Sequence, residues 1–154
     1  MTQAYYSVVL DHPADQVWAV IRDFGHYGWA GVEGETIVEG GKAGDQGGAV
    51  RRFTSGDTTL RQCLLAHSDI CRSYTYRFCD PAPFPVQDYT ATLRVAPITA
   101  DGKSFVEWLA HFDSPIEERI RWSEHFERGF ATWLAALGRF MTGVGGSNRP
   151  ATGD

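Results

Sequence analysis

Four polar residues stand where a strand's period of two places apolar ones: Arg51, Gln62, Tyr76 and Tyr89. Tyr76 shares its parity with Tyr74 and Phe78, and Tyr89 with Ala91, Leu93 and Val95. Gln62 falls among Leu60, Leu64 and Ala66. Successive strand side chains point to opposite faces, so each of these polar groups is expected on an inward face. For residues 49–54 two parities are open: either Arg51 and Phe53 face inward, or Val50 and Arg52 do. The bulk of Phe53 favours the first. Buried polar groups need partners, so several of them in a filled core would be a liability. Around a cavity they can hold water or orient a ligand. The plainer reading makes the tyrosines core residues whose hydroxyls reach the rim. If the cavity does chemistry, Tyr76 or Tyr89 could donate to a ligand carbonyl and Arg51 could stabilise an enolate. Tyr76, Tyr89 and Arg51 are therefore the catalytic candidates.

Other chemistries lack their residues. There is no G-x-S-x-G, and no serine is followed by plausible triad partners. His12, His26, His67, His111 and His125 are scattered, so no metal site is expected. His111 falls on an outward face. His125 follows a helical pattern beside Phe126 and is expected at the surface. Cys63, Cys71 and Cys79 are odd in number and contain no C-x-x-C, so they are expected to be reduced thiols. The glycines of residues 44–48 lack the lysine and following helix of a phosphate loop. No cofactor is expected.

The elements that must position these groups follow from patterning. A strand over 5–10 is stopped by Asp11-His12-Pro13, and Pro13-Ala14 opens a helix carrying Val17, Trp18, Val20, Ile21 and Phe24. Gly25 and Gly28 break it around a short segment with Tyr27 and Trp29. Strands are expected over 35–39, 49–54, 58–67, 72–79, 88–97 and 104–113, joined by tight turns. Three prolines keep residues 80–85 irregular. On the last strand Val106, Trp108, Ala110 and Phe112 share the inward face. A long helix then runs from 116 to about 141. Ser114 and Glu117 form its expected capping box, and Ile120, Trp122, Phe126, Phe130, Trp133, Leu134, Leu137 and Met141 its apolar stripe. Residues 1–142 read as one α+β domain, an antiparallel meander around the C-terminal helix. Residues 143–154, rich in Gly and Ser, read as a disordered tail.

The chain has 154 residues, 43% of them hydrophobic, and a net charge of -5. No basic cluster marks a nucleic-acid face or an anionic-membrane face. No apolar run is long enough to span a bilayer, and the N-terminus lacks a secretory pattern, so a cytoplasmic protein is expected.

Four segments carry a likeness: residues 17–24, 48–53, 85–93 and 106–113. With the element order, they make the chain resemble the START-like, birch-pollen-allergen-like (SRPBCC) superfamily over residues 4–141. Within it the chain looks like the bacterial polyketide cyclase/dehydrase and lipid-transport group, and more distantly like the plant abscisic acid receptors. The resemblance implies a helix-grip fold. It implies that Phe53, Gln62, Tyr76, Tyr89, Trp108, Phe126 and Phe130 line a cavity. Ser55-Gly56-Asp57 and Phe84-Pro85-Val86 match loops that close over it in the receptors. Many relatives carry Glu-Arg at Gln62-Cys63, so a cavity carboxylate is missing here. The receptors' ligand-binding lysine, near Val32, is absent too.

The reading that follows is a binder of a small hydrophobic or aromatic molecule, polyketide-, steroid- or lipid-like. Its ligand-contacting set is Arg51, Phe53, Gln62, Tyr76, Tyr89, Trp108, Phe126 and Phe130. The alternatives are a cyclase/dehydrase-type enzyme using the cavity Tyr and Arg groups, and a regulatory module whose loops present a surface. Trp29 and the exposed loops are candidates for a homodimer contact.

Overall fold

A computed structural model describes residues 1–32 and 34–147. Its elements run β1 (Thr2–Leu10), α1 (Ala14–Ile21), a 3-10 turn (Gly28–Ala30), β2 (Ile37–Glu39), β3 (Val50–Ser55), β4 (Thr58–Ser68), β5 (Ser73–Phe78), β6 (Gln87–Ile98) and β7 (Lys103–Asp113). A second 3-10 turn (Ile116–Glu118) leads into α2 (Arg119–Ser147). All seven strands form one antiparallel sheet in the order β1-β7-β6-β5-β4-β3-β2. β2 to β7 are a meander, and β1 closes against β7 at one edge. α2 lies across the inward face, with Phe126 against Phe112 at 5.1 Å and Phe130 stacked on Trp108 at 5.0 Å. This is the helix-grip arrangement.

The alternation of β7 is regular, with Ser104, Val106, Trp108, Ala110 and Phe112 all buried. β4 breaks its own. Leu64 pairs with Tyr76 and Ala66 with Thr75, which leaves Leu65 as an extra residue in β4. That bulge reverses the parity beyond it. Ala66, expected inward, is exposed, and His67 turns in instead to stack on Tyr74. In β6 the register slips between Gln87 and Thr90, and Asp88 takes a positive φ of 53°. The slip spans Asp88 and Tyr89, and the strand beyond it alternates regularly, with Tyr89, Ala91, Leu93 and Val95 all buried.

α2 begins differently from expectation. Pro115 is extended (ψ 143°), and the Ser114 hydroxyl donates to the Pro115 carbonyl, so no capping box forms. The helix axis starts clear of the sheet, which leaves Ile120 of the expected stripe 68% exposed. At the other end α2 continues past residue 142 to Ser147, because no proline interrupts it before Pro150. The rest of the expected tail, 148–154, lies outside the described residues. No helix among the described residues is long and apolar enough to cross a membrane.

Candidate functional site

The sheet and α2 enclose a cavity of about 420 Å³. Its apolar wall is Leu60, Phe78, Phe84, Phe126, Phe130 and Trp133; its polar wall includes Ser55, Thr58, Gln62, Tyr89, His125, Arg128 and Thr132. β3 and β4 supply one side, the segment before β6 the opposite side, and α2 the floor. Phe84 is clamped at the mouth, with ring centroids 4.9 Å from His125, 5.6 Å from Phe126 and 5.7 Å from Trp122. Burial holds the His125 imidazole below its ordinary value, and Arg128 and Arg121 push it the same way. A second hollow of about 750 Å³ lies outside the loop before β6, and Phe78, Phe84 and Tyr89 line both.

The candidates named from sequence divide into two groups. Gln62, Tyr89, Phe126 and Phe130 line the cavity. Arg51, Phe53, Tyr76 and Trp108 lie behind that wall, in the packed interior, each 2% exposed or less. The favoured parity for β3 holds, with Arg51 and Phe53 both buried. Trp29 is 1% exposed and packs on Trp108 and Tyr27, so it is not available to a dimer contact. His125, expected at the surface, is half-buried at the cavity mouth because Phe84 folds onto it.

Arg51 is the centre of the interior group. Its guanidinium carbon lies 3.8 Å from the Tyr27 ring centroid and 4.0 Å from that of Phe24. Its Nε donates to Gln62 Oε1 at 2.7 Å and its Nη1 to the Tyr74 hydroxyl at 3.3 Å. Among the described residues no carboxylate forms an ion pair with it. Aromatic faces and two neutral acceptors hold the charge. The third nitrogen, Nη2, has no partner, and neither do the nearby buried Tyr27 hydroxyl and Trp29 Nε1. The interior thus has more donors than acceptors.

Gln62 connects the two groups. An Arg N–H must meet an acceptor, so the carbamoyl oxygen faces Arg51 and the NH2 group faces the other way. Nε2 has no protein partner and is not among the sealed polar atoms. Tyr89 lines the same cavity, its ring 6.5 Å from that of Tyr76, whose hydroxyl accepts from Trp108 Nε1 at 3.0 Å. Burial raises the phenols of Tyr27, Tyr74, Tyr76 and Tyr89 above their ordinary value. All four are neutral near pH 7.

The sequence reading left Phe24 and Tyr27 unassigned to the site, although their aromatic density around Gly25 was visible. Tyr27 reaches the interior because the loop before β2 folds under α2. The Gly44 carbonyl accepts the Phe24 N–H at 2.9 Å, and a Cβ on Gly44 would overlap the Asp23 carboxylate. That close approach seats Phe24 on Arg51.

The fold recurs in solved structures. A protein from Thermobifida fusca is 30% identical with a TM-score of 0.80, covering 90% of this chain and 91% of its own. The di-domain ARO/CYC protein BexL is 17% identical with a TM-score of 0.73, covering 90% of this chain and 46% of its own. Norcoclaurine synthase from Thalictrum flavum, solved with dopamine and hydroxybenzaldehyde, is 14% identical with a TM-score of 0.70, covering 91% of this chain and 86% of its own. No curated protein matches the sequence. The family model described as polyketide cyclase / dehydrase and lipid transport matches residues 1–145, and the chain belongs to that family.

Proposed function

We propose that the protein binds one small hydrophobic or aromatic molecule, polyketide-, steroid- or lipid-like, in the cavity between β3, β4 and α2. The observation that carries this reading is the lining itself: six large apolar side chains around a hollow, with Gln62 and Tyr89 among its few polar groups. Such a wall stabilises a ligand by apolar burial and fixes its orientation through few polar contacts. The test is titration with the neutral fluorescent probe N-phenyl-1-naphthylamine. A saturable one-to-one enhancement, reversed by an aromatic competitor, is expected; binding that does not saturate sinks the reading.

The cyclase/dehydrase alternative draws on the family and on Tyr89. Of its three groups, only Tyr89 reaches the cavity, while Tyr76 and Arg51 are sealed behind it. An enzyme here would use the Tyr89 phenol as donor, with Tyr76 and Arg51 as positioning groups. Tyr89→Phe should then abolish turnover of a polyketide-like substrate while leaving its binding intact; an unchanged rate removes this alternative.

A further inference from the structure

The cavity has an uneven charge. Its lining contains Arg128 at the mouth and no Asp or Glu, in a chain of net charge -5. Behind its inner wall is a permanently charged guanidinium with no counterion among the described residues. Among the described residues Gln62 joins the two: its oxygen takes the Arg51 Nε–H at 2.7 Å, and the residue itself lines the cavity, which leaves its NH2 group, turned away from Arg51, to the cavity side. A hydrogen bond from a cation polarises the amide and strengthens its own donors.

We propose that the inner end of the cavity is an acceptor-binding subsite, in which Arg51 acts through Gln62, and that it selects aromatic ligands carrying an anionic group such as a carboxylate, sulfonate or phenolate. The inference rests on the cavity-binding reading and adds the chemical class of the ligand. A neutral aromatic gains apolar burial alone. An anionic one also gains a charge-assisted bond from Gln62 and supplies the interior with the counter-charge it lacks. Arg51 is a positioning residue here, since it never touches the ligand.

Two probes share one ring system and differ by a sulfonate: 1-anilinonaphthalene-8-sulfonate and N-phenyl-1-naphthylamine. The protein should bind the sulfonate roughly tenfold more tightly or better. The decisive variant is Gln62→Glu, of nearly the same shape. It gives Arg51 a carboxylate partner, so thermal stability should hold or rise. It also replaces the NH2 donors with negative charge, so the sulfonate should lose at least tenfold in affinity while the neutral probe keeps its own. Arg51→Met should bring the two probes together, and Arg51→Lys should restore part of the gap. Arg128→Gln controls for the mouth: if it alone removes the preference, the inner subsite is wrong. Equal affinities in the unaltered protein also overturn the subsite while leaving cavity binding intact. If neither probe binds, the cavity reading itself fails.

Discussion

The two ends of the interior are built on opposite principles. At the mouth, Phe84, Trp122, His125 and Phe126 meet through edges and tilted faces, on a loop and one helix turn, with solvent close by. At the inner end, Arg51 is locked by Phe24, Tyr27, Gln62 and Tyr74, which come from three separate segments and are all buried. The first can lose a ring and remain folded. The second is a polar cluster inside the core, where a missing partner is costly. Ring packing at the mouth and the polar cluster at the inner end can thus be perturbed separately.

Alkali should expose the contrast most strongly. The four inner phenols have folded values above their unfolded ones, so their contribution is fully present below about pH 10 and is lost as pH rises. Absorbance at 295 nm should show the inner four ionising only with cooperative loss of the fold. Smooth titration of all six would contradict the sealed interior. Next in size, Trp108→Ala should destabilise by about 3–5 kcal/mol in urea unfolding, since it empties the ring beneath Phe130 and frees the Tyr76 hydroxyl. Phe84→Ala should cost about 1 kcal/mol or less, because the ring is half-exposed, yet weaken probe binding several-fold. Equal stability losses from the two would erase the distinction.

The smallest effect lies outside both ends. Asp69 accepts from Arg22 and from Trp18 Nε1, joining α1 to the turn after β4 and holding its carboxyl down to about 2. A depressed carboxyl stabilises above its unfolded value near 4 and loses that contribution as pH falls toward 2. Asp69→Asn should lower the neutral plateau slightly and flatten the acid limb between those values, so that the two profiles meet near pH 2. An unaltered acid limb would assign the low value no role.

The fold was legible because its signals are periodic. Seven stretches of alternation and one long helical stripe survive errors of a residue or two, and the parity of Phe53 placed Arg51 correctly. The bulge in β4 was not legible, because a single extra residue leaves the alternation readable on both sides while reversing its meaning; Ala66 and His67 exchanged faces for that reason. The depth of each inward residue was also invisible. Alternation says that Tyr76 and Tyr89 point inward, but only the packing of α2 and the Phe24–Tyr27 loop decides that Tyr89 meets the cavity and Tyr76 does not. Ile120 shows the same limit from the helix side, since the stripe cannot say where the sheet ends.

Phe78, Phe84 and Tyr89 form a wall one ring thick between the 420 Å³ cavity and the 750 Å³ hollow beyond the loop. Under the proposed binding role, the limit on ligand length would be set by these three rings and not by strand positions. Exchanging one of those rings for a smaller side chain would join the two spaces into a single tunnel, changing the size of molecule accommodated while every hydrogen bond of the sheet stays in place.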